Sequence, residues 1–232
     1  MPTAFHNRIL ASFSDEVHQN LDALLETVSM SDGMVLYEPG APIERVYFPL
    51  TGVISIVQIM QEGTAAEVGM VGREGVSGLE SFLRERPSTG RSVCQVPGTA
   101  AAMPAAALRQ AAADHPHLRR VLLDYTGGYC SMLAQLIACN RLHRVEQRCA
   151  RWLLMTVDRI RRTSFPMTQE RLGMMLGAQR PTVTATMASL RDAGCIENSR
   201  GEVRITNRAR LESFACECYA LCAGYFDVKH DD

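Results

Sequence analysis

Apolar positions change their period twice along this 232-residue chain. Between about residues 34 and 103 they fall in short runs such as Arg45-Val-Tyr-Phe-Pro-Leu and Val53-Ile-Ser-Ile-Val-Gln-Ile. Glu38-Pro39-Gly40, Thr51-Gly52 and Glu62-Gly63 separate these runs. β-branched and aromatic side chains in runs of this length suit half-buried pleated strands. Glycines at 69, 72, 75 and 78 mark corners or close backbone approaches. Short strands at this spacing predict a small barrel or sandwich.

From residue 118 the period becomes helical. Leu118, Leu122, Tyr125, Tyr129, Met132, Leu136, Cys139 and His143 alternate spacings of 4 and 3, the a/d seam of a coiled coil. A second apolar line, Leu123, Thr126, Cys130, Leu133 and Ile137, runs on a neighbouring face. A long helix with two apolar faces needs two surfaces to cover them. The barrel and a second copy of the helix are the expected covers, and a helix packed wholly inside its own subunit is the alternative.

The chain stays helical from 141 to about 162 and breaks at Phe165-Pro166, since the residue before proline disfavours the α region. Thr168 can cap a short helix, 169–176, that stops at Gly177. A second short helix opens at Pro181, where a missing N–H costs nothing, and ends at Gly194. Ile196-Glu197-Asn198 and residues 202–206 flank Ser199-Arg200-Gly201, a hairpin signal. A last helix is expected over 208–225.

Two short helices joined by Gly177-Ala178-Gln179-Arg180 and followed by a hairpin make a winged helix-turn-helix. Leu172, Met175 and Leu176 can meet Val183, Met187 and Leu190, which share one helix face, and Gly173 keeps the first helix slim where the second crosses it. Opposite that core lie Pro181, Thr182, Ala185, Ala188 and Ser189, short enough to let a helix sink into a major groove about 12 Å wide. Gln179 and Arg180 stand at the helix start, where base edges and phosphates are met. Arg180 suits guanine, and the Thr182 methyl or Ala185 suits a thymine methyl. The expected DNA-facing set is Thr168, Gln169, Gln179, Arg180, Pro181, Thr182, Thr184, Ala185, Ser189 and Arg200.

Charge sharpens this division. The formal net charge is −1, which by itself argues against nucleic acid. Residues 1–140 carry 9 basic and 14 acidic side chains, whereas residues 141–210 carry 14 basic and 6 acidic. The total averages an acidic and a basic half, and the basic half is the one holding the helix-turn-helix.

Other classes fit poorly. No stretch reaches the ~18 uninterrupted apolar residues of a membrane helix, since residues 121–139 are broken by Asp124 and Gly127-Gly128, and the N-terminus lacks an apolar signal segment. A cytoplasmic protein without membrane contact is expected. The eight cysteines form no CxxC pair. Reduced, mostly buried thiols are the default, with Cys216, Cys218 and Cys222 open as a thiol sensor on the last helix. His115 and His117 flank Pro116 and are expected to be solvated. No GxGxxG, GxxxxGK[ST] or HExxH occurs, and Gly75-Val-Ser-Gly misses GxSxG by one residue, so no enzyme is expected.

The run Thr168-Gln-Glu-Arg-Leu-Gly-Met-Met-Leu-Gly-Ala-Gln-Arg-Pro-Thr-Val-Thr and its exit Leu190-Arg-Asp-Ala-Gly-Cys-Ile resemble the helix-turn-helix of the Crp/Fnr superfamily of bacterial transcription regulators. Tyr47-Phe-Pro-Leu-Thr-Gly-Val-Ile-Ser resembles a turn of its cyclic-nucleotide-binding-like barrel. The resemblance implies an α+β fold: a sensor barrel (jelly roll) over 1–116, a dimerisation helix over 117–143 and a winged helix-turn-helix DNA-binding domain over 144–232. It also implies a homodimer on an inverted-repeat DNA operator, joined through Leu118, Leu122, Tyr125, Tyr129, Met132, Leu136 and Cys139, with RNA polymerase as a further partner. A sensing module with little DNA binding is the alternative.

Departures bear on the effector. Cyclic-AMP-binding members carry Gly-Glu-Leu, whose glutamate holds the ribose, and then Arg-Ser, which grips the cyclic phosphate. Here Gly75-Val-Ser-Gly-Leu-Glu-Ser-Phe-Leu places no glutamate directly after a glycine. Arg91-Ser92 is one candidate phosphate pair; a one-gap alignment puts Ser88-Thr89 there instead and leaves Arg91 an ordinary strand residue. Gly78, Leu79, Glu80, Arg91, Ser92 and Leu133 are the candidate effector pocket, and a degenerate pocket is expected rather than one for cyclic nucleotide. No cysteine precedes Cys94, so the iron–sulfur branch does not fit, and neither cofactor nor metal is expected. The Arg-Glu-x-x-x-Arg reading pattern of the cyclic-AMP branch is replaced by Arg180-Pro181 and Ala185, which implies a different operator.

Overall fold

The structure is a computed structural model describing residues 6–199 and 201–226. The described chain forms two compact units. One holds the residues up to Ile59 together with Met70–Gly128; the other holds Met60–Gly69 and the chain from Tyr129 onward. The division falls inside the long helix, not at its ends.

The first unit opens with two short helices, α1 (Arg8–Ala11) and α2 (Asp15–Leu21), which the apolar pattern did not announce. Asn7 places them. Its Oδ1 accepts from the Ile9 and Leu10 N–H groups, while its Nδ2 donates to the Pro49 carbonyl at 3.0 Å and the Gly75 carbonyl at 2.8 Å. One fully buried amide thus caps a helix and joins it to the end of a distant strand and to a distant loop.

The strands are β1 (Glu26–Met30), β2 (Val35–Tyr37), β3 (Arg45–Pro49), β4 (Val53–Ile59), β5 (Ala65–Val71), β6 (Arg91–Val96) and β7 (Gly98–Pro104). They make a three-stranded sheet, β1-β7-β3, and a four-stranded sheet, β2-β6-β4-β5. Pairing is antiparallel, with Phe48 opposite Ala101 and Ile56 opposite Ser92. Phe48, Ile54 and Met103 are buried. The turn at Thr51-Gly52 requires glycine: φ is +83°, and a Cβ would stand 2.5 Å from the Val96 carbonyl oxygen. Helices α3 (Glu80–Leu83) and α4 (Ala105–Asp114) complete the part of the unit that precedes the long helix α5 (Pro116–Leu142). Of the two histidines at that entry, His117 is exposed as expected yet sits 3.0 Å from the Ser12 carbonyl oxygen through Nε2, and His115 is half-buried.

The two apolar lines of α5 behave oppositely to the expectation. Leu118, Leu122, Tyr125, Met132, Leu136 and Cys139 are buried within the single chain and Tyr129 is half-buried, so the seam expected to join two copies is core. Tyr125, for instance, covers Gly75 so closely that a Cβ there would meet its hydroxyl at 2.0 Å. Leu123 is 45% exposed and Ile137 67%, with Cys130 exposed between them. Regular spacing showed that each line is apolar; only packing decides which one points inward.

In the second unit the 60–69 segment meets α6 (Val145–Ile160), where Glu67 accepts from the Trp152 indole N–H at 2.7 Å. Then come β8 (Ser164–Pro166), α7 (Gln169–Leu176), α8 (Arg180–Asp192), β9 (Ile196–Ser199), β10 (Glu202–Ile205), α9 (Arg208–Phe214) and α10 (Cys218–Gly224). Residues 164–166, expected as a plain break, are a strand on the edge of the sheet β8-β10-β9, where Pro166 is tolerated. The single last helix expected over 208–225 is two helices. Ala215 is extended, and the chain turns there to bury Cys216 beside Cys139, 3.5 Å away between sulfurs.

Candidate nucleic-acid interface

The helix-turn-helix is built locally. Thr168 accepts from the Arg171 N–H and starts α7, and Gly177, in the left-handed region at φ +57°, ends it. Arg148 donates to the Leu176 carbonyl, placing a guanidinium at the negative end of α7; burial pulls that group below its ordinary range. A Cβ on Gly173 would stand 3.0 Å from the Ala178 carbonyl oxygen, so a larger residue there would crowd the turn. Leu172, Met175 and Leu176 are buried, as are Val183, Met187 and Leu190. Pro181 is the second residue of α8, not the first, and still costs nothing because the first four N–H groups of a helix have no partner within it.

Burying Val183, Met187 and Leu190 turns the opposite face of α8 to solvent. Gln179, Arg180, Pro181, Thr182, Thr184, Ala185 and Ser189 are all exposed, and Ala188 is half-buried. Thr168 is exposed and Gln169 half-buried at the start of α7. The Thr184 hydroxyl lies 2.9 Å from Gln169 Oε1 and 3.0 Å from the Arg180 carbonyl oxygen, so α7 and α8 are tied at the outward edge. Behind it β9 and β10 pair in the register Glu202 to Ser199 and Ile205 to Ile196. A cleft of about 430 Å³ runs between helix start and wing, lined by Thr168, Gln169, Arg180, Ser199 and Gly201 among others. Arg200 lies outside the described residues.

The first-unit residues named for an effector pocket do not converge on one point. Leu79 is buried, and Gly78, at φ +94°, opens the turn into α3, which Glu80 begins. Arg91 and Ser92 are successive strand residues of β6 and so face opposite sides. Arg91 pairs with Glu38 at 2.8 Å, whereas the Ser92 hydroxyl lies 2.9 Å from that of Ser77, itself 3.0 Å from the Tyr37 hydroxyl. These three buried hydroxyls satisfy one another. Burial, with a smaller contribution from Glu80, pushes the Tyr37 phenol up to about 12. Leu133, half-buried, lies in the other unit, where Gly69 leaves room for it.

A recognition helix presenting short side chains, a helix start carrying Gln179 and Arg180, and an adjoining two-stranded wing define a winged helix-turn-helix DNA-binding domain. The Crp-like helix-turn-helix domain matches residues 147–214, and the cyclic nucleotide-binding domain matches residues 27–115. The chain belongs to the Crp/Fnr superfamily and is a transcription regulator of that type, a family of regulators and not of enzymes. It is 27% identical over 198 residues to the "CRP-like cAMP-activated global transcriptional regulator" of Mycobacterium tuberculosis, covering 81% of this chain and 87% of that one. It is 23% identical over 186 residues to the "Global nitrogen regulator" of Synechocystis sp., covering 76% and 82%. The solved structure of FixK2 from Bradyrhizobium japonicum superposes with a TM-score of 0.70 at 19% identity, covering 83% of this chain and 98% of that one, a likeness of fold. Among the described residues no helix is long and apolar enough to cross a membrane.

Proposed function

We propose that the protein is a homodimeric regulator that reads an inverted-repeat operator through the start of α8 and does not respond to cyclic AMP. The observation that carries the reading is the outward face of α8, where Gln179, Arg180, Thr182, Ala185 and Ser189 stand exposed over a buried Val183-Met187-Leu190 ridge. A face kept only for solubility would carry long charged side chains. A two-fold dimer presents two such helices one helical turn of DNA apart, which calls for an inverted repeat.

The exposed line Leu123, Cys130 and Ile137 of α5 supports the pairing of two copies. This moves the expected interface to the neighbouring face of the same helix. The Mycobacterium tuberculosis relative is cAMP-activated by name. Against the same response here stand Arg91, engaged with Glu38, Ser92, turned into a closed hydroxyl chain, and a 75–83 segment in which no glutamate directly follows a glycine.

Selecting bound sites from a random DNA pool tests the reading. An inverted repeat should emerge, and Arg180→Ala should lose on the order of 1–3 kcal/mol on it and relax one base position per half-site. A pool that yields no enriched sequence, or an Arg180→Ala protein that binds as tightly as the parent, rejects it. Cyclic AMP titrated calorimetrically should give no heat beyond dilution; saturable binding rejects the effector part.

A further inference from the structure

The second unit holds a cluster that DNA reading does not use. Cys139 lies in the last turn of α5 and His143 one turn further on, so both project from one helical face. Cys216 lies in the connection from α9 to α10, and Cys218, beyond Glu217, opens α10. The three sulfurs and one imidazole nitrogen all lie within 4.8 Å of one another. Cys139 Sγ is 3.5 Å from Cys216 Sγ, and Cys218 Sγ is 3.5 Å from His143 Nδ1.

We propose that Cys139, His143, Cys216 and Cys218 form a tetrahedral Cys3His site for a single soft divalent cation, zinc by its donor set. A tetrahedral zinc with bonds of about 2.3 Å to sulfur and about 2.05 Å to nitrogen has S···S edges of about 3.8 Å and S···N edges of about 3.6 Å. The two measured edges are within a few tenths of an ångström of those lengths. Four donors within 4.8 Å of one another enclose one ion, not a cluster of irons, and three thiolates with one imidazole suit zinc.

The surroundings match the demands of such a site. With Nδ1 turned to the sulfurs, His143 Nε2 faces Glu217 Oε1 at 3.3 Å, the carboxylate that orients a ligating histidine and fixes its tautomer. Gln135 donates to Cys218 Sγ at 3.1 Å. Three thiolates around a dication leave one net negative charge, and a buried cation stands ready to balance it. Arg151 is 4% exposed, its terminal nitrogen finds only the Met155 sulfur at 3.2 Å, and its Nε has no hydrogen-bond partner among the described residues. Binding displaces the thiol protons to solvent without any redox change. The ion would pin the end of α5 to the α9–α10 connection, the turn that the expected continuous last helix lacked.

The test uses the full chain, reduced and stripped with a chelator. Zinc titrated against a chromophoric competitor should bind one equivalent per chain with nanomolar or tighter affinity at neutral pH. Cobalt(II) should give intense visible d–d bands and a thiolate charge-transfer band, the signature of tetrahedral sulfur ligation. Cys218→Ser and His143→Ala should each weaken zinc at least ~100-fold, and Glu217→Gln about tenfold with the cobalt spectrum retained. A weak six-coordinate cobalt spectrum overturns the site, as does zinc affinity unchanged in Cys218→Ser. So does a reduced chain that takes no zinc while mild oxidant joins Cys139 to Cys216 by mass spectrometry, which would assign the cluster to thiol redox chemistry.

Discussion

Thr184 shares its hydroxyl between Gln169 Oε1 at 2.9 Å and the Arg180 carbonyl oxygen at 3.0 Å. One side chain thereby sets where the start of α7 stands relative to the start of α8. A hydroxyl has one hydrogen, so the bond to Gln169 competes with the local back-bond and holds only while the two helices keep their crossing. Thr184→Val keeps the shape and removes the tie. Because the site is exposed, unfolding should shift by only about 0.5 kcal/mol, whereas affinity for the selected operator should fall a few-fold, read by fluorescence anisotropy. Unchanged affinity would detach Gln169 from DNA reading.

Asn7 should be worth more than a surface cap. Its amide serves two carbonyls 42 and 68 residues away, and Asn7→Ala leaves the Pro49 and Gly75 oxygens without that donor. A loss of about 2 kcal/mol or more is expected in urea unfolding. Asn7→Asp should be no better, since it keeps the cap oxygen yet aims a second oxygen at two carbonyls. Stability equal to the parent in Asn7→Asp would show that the cap, not the long-range bridge, carries the effect.

The two faces of α5 predict opposite outcomes. Leu123→Glu with Ile137→Glu should give folded monomers in sedimentation velocity, because both side chains are exposed in the single chain. Leu122→Ala, in the buried seam, should cost about 2–5 kcal/mol of stability and leave the dimer intact. If the glutamate pair remained dimeric, the outward line would not be the interface.

Tyr37 predicts an alkaline limb. Its phenol is raised from 10.0 to about 12, first by burial. Below pH 10 the folded and unfolded chains both keep the proton and stability is whole. As pH rises from 10 toward 12 only the unfolded chain ionises, so stability falls, by roughly 2–3 kcal/mol over that span. Tyr37→Phe should be about 1 kcal/mol less stable near neutrality, having lost its bond to Ser77, and the gap should close by about pH 11 and reverse above it. Urea unfolding of both proteins from about pH 8 to about pH 11 checks this. A constant gap would mean that the phenol titrates alike in both states.

Features written in short range were legible in the sequence. The helix-turn-helix depends on a capping threonine, a left-handed glycine at 177, a proline in a first turn and apolar spacings of three and four, each a matter of a few neighbouring residues. The hairpin of the wing was signalled by Ser199-Arg200-Gly201, and the basic half of the chain followed from counting. Tertiary structure decided the rest. Periodicity shows that α5 has two apolar lines but carries no sign for inside and outside, so the seam that looked like an interface is core and Leu123, Cys130 and Ile137 of its neighbour face solvent. Asn7 and the three-residue strand at 164–166 have no periodic signal, because their partners lie far along the chain. The cysteines are the sharpest case. Cys139 and Cys216 stand 77 residues apart with no metal-motif spacing between them, and only the closing of α10 back onto the end of α5 brings their sulfurs to 3.5 Å.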